Sequence, residues 1–190
     1  MQEALAAGLK ETIFVTPDSL TPVEHQFGGF GSAKAERVVI ARQFAADTLG
    51  QTLCGVRHLL GEEPFVLLLP AEMSGRGGTD TTARLLEAYR HRGGNLVAVE
   101  GEDLLERDGR FAAIAGAAAG RYLLQPAVLD ALEDDPDGGL SAALIATAEV
   151  WPVTVIPVAQ VSVGTVPSSE APTLRARRPV DLLREAEAGE

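Results

Sequence analysis

The sequence predicts an α/β sandwich in which helices cover both faces of a largely parallel sheet. Helical and strand-like segments alternate over the first hundred residues, and this order is typical of chains that build βαβ units. The apolar run at residues 64–70 contains no polar side chain, which fits a strand buried on both of its faces. Hydrophobic residues make up 46% of the 190-residue chain, enough to bury a core without disulfides.

The alternation in the first half rests on apolar runs separated by helix start and stop signals. Gly8 and Gly93 follow helical segments and favour helix ends, while Thr79 or Asp80 caps the start of the last helix. The predicted elements are, in chain order, the end of a helix at 2–9, a strand at 12–16, a helical turn from 18 or 19 toward 27, a strand at 37–42, a helix at 48–60, a strand at 64–70, a helix ending at 92 and a strand at 95–100.

The second half is expected to be less regular but to belong to the same single domain, 1–190. Pro126 suits the first turn of a helix, and Pro157 restricts its strand to a sheet edge or a bend. The predicted elements are a strand at 110–114, a small-residue linker at 116–120, a strand at 121–124, a helix at 126–133, a turn at 134–139, a helix at 141–149, a strand or hairpin at 153–163, a loop at 168–172 and a terminal helix at 179–188.

Charge and composition exclude several classes of partner. With 16 Lys+Arg against 27 Asp+Glu, the net charge is −11, so we expect neither nucleic acid nor a membrane as a partner, because both need a basic surface. No apolar run approaches the roughly 20 residues of a membrane span, and we expect no signal peptide. The single cysteine, Cys54, excludes a disulfide framework and suits a cytoplasmic protein.

Chemical motifs considered without any family leave the function open. The Gly-rich residues 28–34 lack the spacing of a P-loop and fit a solvent loop. Residues 74–78 follow a buried strand, where Arg76 would meet an anion or lie in a simple connector. Cys54 fits a core position better than a nucleophile, because no cationic residue nearby would lower its pKa. The three histidines, at positions 25, 58 and 91, are too far apart for a zinc motif.

Four segments in the first 140 residues occur in the same order as similar segments of one known protein family. They are residues 5–16 (LAAGLKETIFVT), 57–70 (RHLLGEEPFVLLLP), 93–100 (GGNLVAVE) and 120–126 (GRYLLQP). Together they resemble the bacterial UTP–glucose-1-phosphate uridylyltransferases, a family of sugar nucleotidyltransferases. The last segment is similar to the family's Gly-Arg-Tyr-Ile-Leu-x-Pro, and the second to the run into its central metal-binding strand.

The resemblance implies a three-layer α/β/α, Rossmann-like nucleotidyltransferase fold that lacks the family's N-terminal strand and phosphate loop. Residues 1–100 would form the core α/β part, 101–178 a degenerate sugar-side part and 179–190 the terminal helix. Loss of a central strand would expose a sheet edge, and exposed edges invite pairing. We therefore expect a later strand, such as 153–163, or a partner protein to fill the gap.

The resemblance also implies which nucleotide-binding residues remain. Gln43 and Gly50 match positions where the family contacts uracil, and Glu72 follows the position of its metal-binding Asp, which is Ala71 here. Alanine offers no oxygen ligand to Mg²⁺, and the later acidic motifs of the family are absent as well. We therefore expect no catalytic residue, no metal ligand and no cofactor, with Mg²⁺ needed only if the protein is active.

These departures predict a uridylyltransferase-like protein that is inactive and acts as a regulatory or assembly subunit. Its partner would be a second copy or another protein, such as a catalytic paralogue. One alternative is a non-catalytic module that binds a uridine nucleotide or nucleotide sugar. Another is an active enzyme that makes UDP-glucose through rearranged residues such as Glu72 and Arg76, and the last is the product of a decaying gene.

Overall fold

The computed structural model describes residues 2–17, 37–43, 48–69, 80–100, 104–107, 110–114, 118–135, 137–158 and 174–176. Its helices are α1 (Gln2–Ala6), α2 (Leu49–Gly55), α3 (Arg57–Leu60), α4 (Thr81–Arg92), α5 (Ala127–Asp134) and α6 (Gly139–Thr147). Its strands are β1 (Glu11–Pro17), β2 (Arg37–Gln43), β3 (Phe65–Leu68), β4 (Asn95–Glu100), β5 (Leu104–Arg107), β6 (Arg110–Ile114), β7 (Ala118–Leu124), β8 (Val153–Val158) and β9 (Leu174–Ala176).

Within the described residues, the main sheet has seven strands in the order β2-β1-β9-β3-β7-β4-β8. Five of them, β1, β2, β3, β4 and β8, run in one direction, while β7 and β9 run in the other. The prediction of a largely parallel sheet therefore holds for strand direction. It is wrong for strand pairing, because the two reversed strands lie between parallel ones and make most neighbours antiparallel. β5 and β6 form a separate two-stranded sheet.

Helices cover both faces of the main sheet. Side chains alternate along β3, so that Phe65 and Leu67 pack on one face and Val66 and Leu68 on the other. Buried residues of α2, α3, α5 and α6 join the first cluster, and those of α1 and α4 join the second. The predicted three-layer α/β/α architecture is confirmed.

A strand from late in the chain lies at the centre of the sheet. β9 pairs antiparallel with β1 at Ile13, Phe14 and Val15, and with β3 at Leu68. A later strand therefore does join the centre, but it is not the predicted one. Val153–Val158 instead forms β8 at the outer end of the sheet, where it pairs in parallel with β4.

The register of β8 explains how the sheet accommodates Pro157. The amide of Asn95 donates to the carbonyl oxygen of Pro152 (2.9 Å), and in a parallel ladder this phase directs the backbone groups of Pro157 away from β4. The missing N–H of proline thus costs the ladder no hydrogen bond. Arg84 Nη2 donates to the carbonyl oxygen of Pro157 (3.0 Å). The predicted edge position of Pro157 is confirmed.

Two predictions about local structure are wrong. The linker expected at 116–120 is strand from Ala118 onward, because its small residues Ala119 and Gly120 fit under the covering helices and are buried. The single helix expected at 48–60 is interrupted at Val56, whose φ of −105° and ψ of 6° separate α2 from α3. β5 and β9 form where no strand is predicted.

Some predicted segments lie outside the described residues. They are the helical turn toward residue 27, the Gly-rich residues 28–34 and 74–78, the end of the strand or hairpin at 159–163, the loop at 168–172 and the terminal helix at 179–188. Among the helices of the described ranges, none combines the length and apolarity that a membrane crossing needs.

Candidate functional site

The carboxyl ends of the five parallel strands lie along one edge of the sheet, which we call the carboxyl edge. The last residues of these strands are Pro17, Gln43, Leu68, Glu100 and Val158. Pro17 and Gln43 are register partners, so β1 and β2 end at the same level. Ligand crevices of open α/β sheets form outside such strand ends. The carboxyl edge is therefore the candidate binding site.

Of the predicted nucleotide-binding residues, Gln43 lies directly at this edge. Gln43 is the last residue of β2. Gly50 is buried in the first turn of α2, where the Thr48 side chain caps the helix by accepting a hydrogen bond from the Gln51 amide (3.2 Å). Glu72 lies outside the described residues. The roles of these residues in nucleotide binding stay predictions.

The chain that leaves β3 is anchored to β7 at the carboxyl edge. The amide of Leu69 donates to the carbonyl oxygen of Gly120 (2.8 Å), so the segment that carries Ala71 starts from a fixed point. Ala71 and Arg76 themselves lie outside the described residues. Within the ranges given above, no group of three His, Cys, Asp or Glu side chains could hold a metal ion.

A buried ion pair lies next to the carboxyl edge, on the face covered by α1 and α4. Arg121, the register partner of Leu68, donates from Nε and Nη2 to Glu3 Oε1 and Oε2 at 2.6 and 2.9 Å. Thr82 Oγ1 donates to Glu3 Oε1 at 2.5 Å. The side chains of Arg121 and Glu3 are only 4% and 10% exposed. We call these three residues the carboxylate clamp, which ties α1 and α4 to β7.

Sequence reasoning missed the carboxylate clamp. Arg121 interrupts the otherwise apolar strand β7 (AAGRYLL), and a cation in a buried strand needs a charged or polar partner. That signal indicates a buried pair without naming its second member. Glu3 lies 118 positions away along the chain, and only the tertiary fold brings α1 beside β7.

Cys54 lies in a setting that does not favour a nucleophile. Burial raises the pKa of its thiol, the carboxylate of Glu133 raises it further, and the guanidinium of Arg57 lowers it in part. The expectation that no cationic residue lies nearby is therefore wrong. Arg57 is bound to Asp130 (2.5 Å) and Glu133 (2.8 Å). The raised pKa nevertheless leaves little reactive thiolate, which supports the interpretation of Cys54 as a packing residue.

A groove lies between α4 and β8, at the end of the sheet that β8 forms. This groove has a volume of about 530 Å³, and its charged lining residues are Arg84, Glu87, His91 and Arg92. The Glu87 carboxylate contacts Arg90 Nη1 (2.9 Å) and His91 Nε2 (3.0 Å), so these two basic side chains partly offset its negative charge. Because β8 and β2 lie at opposite ends of the sheet, the groove is separate from Gln43.

Comparison with known proteins identifies this architecture. No family model and no curated protein matches the sequence. Among solved structures, UDP-glucose pyrophosphorylase from Acinetobacter baumannii is 17% identical, with a TM-score of 0.66, over 83% of this chain and 72% of that one. Its UTP-bound form is 18% identical, with a TM-score of 0.60 and coverages of 83% and 72%. A UDP-glucose pyrophosphorylase in complex with UDP-glucose is 18% identical, with a TM-score of 0.61 and coverages of 84% and 78%.

These similarities show the fold. The chain has the α/β architecture of UDP-glucose pyrophosphorylases, as the resemblance of its segments implies. The ligands in those structures are properties of those proteins. At 17 to 18% sequence identity, the similarity does not assign binding-site residues to this chain.

Proposed function

We propose that this chain is a catalytically inactive homologue of UTP–glucose-1-phosphate uridylyltransferases that serves as a regulatory or assembly subunit. One observation carries the proposal. The chain has the α/β architecture of UDP-glucose pyrophosphorylases, while Ala71, three residues after the end of β3, takes the position that the resemblance assigns to the family's metal-binding Asp.

The chemistry of the reaction explains why this one position matters. Attack of a sugar phosphate on UTP brings several negative groups together, and Mg²⁺ and cationic side chains must offset their repulsion. Mg²⁺ requires oxygen ligands in near-octahedral geometry, and a methyl side chain supplies none. Glu72, the next residue, is the nearest carboxylate along the chain, so the test below includes it.

The retained scaffold supports the proposal of a protein partner. The packed three-layer scaffold keeps a sugar nucleotidyltransferase shape, so surfaces through which such a scaffold pairs with another copy or with a catalytic paralogue can outlast the catalytic groups. We therefore infer that the function lies in assembly with a partner and not in turnover of UTP.

An assay of pyrophosphate release tests this proposal. The purified chain is given UTP, glucose 1-phosphate and Mg²⁺, alone and mixed with an active uridylyltransferase from the same cells. We expect no turnover by the chain alone, and a changed rate or a larger complex on size exclusion in the mixture. Turnover by the chain alone that is lost in Glu72→Ala would overturn the proposal, as would a mixture with unchanged activity and size.

A second candidate function is binding of a uridine nucleotide without turnover. The position of Gln43 at the carboxyl edge favours it. Melting curves with UTP and with UDP-glucose, each with and without Mg²⁺, test it. A ligand at 100 times its Kd stabilises by about 2.7 kcal/mol, which is easily measured. A shift that does not need Mg²⁺ and is lost in Gln43→Ala supports this candidate, and a shift retained in Gln43→Ala contradicts the site.

A further inference from the structure

The carboxylate clamp has the composition of an oxyanion site. A guanidinium fork binds the two oxygens of a carboxylate or a phosphate in the same planar geometry. Both fork nitrogens of Arg121 that face α1 donate to Glu3, and Thr82 adds a hydroxyl donor to the same carboxylate. Only 4% of the Arg121 side chain is exposed, so solvent screens its charge weakly.

The surroundings of the clamp favour a negative group as well. Thr82 lies in the first turn of α4, where the helix dipole and unpaired N–H groups stabilise anions. Asp80, at the N-cap of α4, makes no side-chain capping hydrogen bond, so its carboxylate does not occupy the N–H groups of this turn. Thr81 Oγ1 is buried beside Thr82 and has no hydrogen-bond partner among the described residues. Thr81 therefore adds a second buried hydroxyl to the first turn of α4.

The donors and the carboxylate belong to different parts of the molecule. Arg121 and Thr82 are fixed in the sheet and in the twelve-residue α4. Glu3 arrives on α1, a helix of only five residues. Within α1 the one fully buried apolar side chain is that of Ala4 (2% exposed), which contributes little hydrophobic stabilisation. Gly8, with φ of 79°, follows as a turn before β1.

We propose that Arg121 and Thr82 form an oxyanion-binding site that the chain fills with its own Glu3 carboxylate. The ligand class is a carboxylate or phosphate group, and α1 is its tethered competitor. A ligand of this class gains access only when α1 leaves the sheet. This inference is independent of the proposed function, since the donors lie on β7 and α4 and include none of Gln43, Gly50 or Glu72.

Chemical rescue of a full-length Glu3→Ala variant tests the site. Melting curves are recorded in chloride, in formate and in inorganic phosphate at equal ionic strength. We expect the Tm of Glu3→Ala to rise by about 5 °C with a saturable dependence on formate or phosphate. The wild type, whose site is filled, and the double variant Glu3→Ala/Arg121→Met, which lacks the fork, are expected to show no such rise.

A matched control separates the site from general salt effects. Glu87→Ala removes a different glutamate that also contacts an arginine, Arg90, but on the exposed side of α4. A Glu3→Ala response no larger than that of Glu87→Ala overturns the proposal. Rescue by formate alone restricts the ligand to carboxylates, and rescue by phosphate extends it to phosphate groups. If Glu3→Ala is unfolded in chloride, recovery of its circular dichroism in either anion supports the site, and failure to recover in both overturns it.

Discussion

The two faces of the main sheet are stabilised against their helices by different interactions. On the face covered by α2, α3, α5 and α6, which we call the apolar face, β3 contributes Phe65 and Leu67 to a large cluster of buried hydrophobic side chains. On the face covered by α1 and α4, the clamp face, β3 contributes Val66 and Leu68 to a smaller cluster. The carboxylate clamp lies on this second face.

The difference shows where the fold depends on volume and where it depends on a specific polar contact. An apolar cluster tolerates rearrangement that keeps its volume, whereas a buried ion pair requires both partners in one geometry. The clamp face therefore defines the position of α1 through Glu3 and Arg121, and the apolar face supplies most of the hydrophobic stabilisation.

The largest expected effect comes from two adjacent leucines of one strand. Leu67 and Leu68 are 0% and 1% exposed and point to opposite faces. Leu→Ala in a core typically costs about 3 to 5 kcal/mol of unfolding free energy. We expect about 4 kcal/mol for Leu67→Ala and about 3 kcal/mol for Leu68→Ala, because the smaller cluster leaves fewer packed neighbours around the cavity. Urea unfolding of both variants measures the difference.

This pair of variants contains its own control, because backbone, strand position and residue type are the same. Equal losses would show that the two faces are packed alike and that the contrast lies only in the clamp. A larger loss for Leu68→Ala would contradict the contrast itself.

The next effect concerns the clamp. Arg121→Met leaves the Glu3 carboxylate without its fork, and we expect a loss of about 2 to 3 kcal/mol, just below the range for a fully buried pair because Glu3 keeps some exposure. Glu3→Gln leaves the buried cation unpaired and should cost a similar amount. The double variant should lose less than the sum, and a double-mutant cycle from urea unfolding measures this coupling. Additive losses would mean that the two side chains do not stabilise one another.

The same contrast explains how much of the molecule the sequence predicts. The apolar face follows from local pattern: the run at 64–70 yields β3, and Gly93, with φ of 63°, ends α4 as expected. The central position of β9 does not follow, because three residues at 174–176 pair with a strand some 160 positions earlier and carry no local signal for that partner. The clamp is missed for the same reason, since the charge of Arg121 is visible but its partner is not.

The candidate site is predictable to a smaller extent. The order of the strands along the chain places Gln43 at the carboxyl edge, because parallel strands end at the same side of a sheet. The register that brings Arg121 level with Leu68 depends on β7 running antiparallel to β3. The prediction of a largely parallel sheet includes a strand at 121–124 but does not assign its direction, so the residues facing one another across this pair could not be derived.

The smallest expected effect belongs to an exposed ion pair on the same helix as Thr82. Hydrogen bonds from His91 and then Arg90 lower the pKa of the Glu87 carboxyl. Because the folded state holds this proton less tightly than the unfolded chain, the contribution of Glu87 to stability is full above its ordinary pKa of about 4.3 and is lost as the pH falls through the lower folded value. The Tm difference between wild type and Glu87→Gln should therefore be small at pH 6 and vanish in more acidic solution.

We expect added salt to reduce this Tm difference at pH 6, since exposed pairs are screened, while salt leaves the loss of stability in Arg121→Met almost unchanged. A salt response of equal size in both variants would mean that the clamp is as open to solvent as the Glu87 pair.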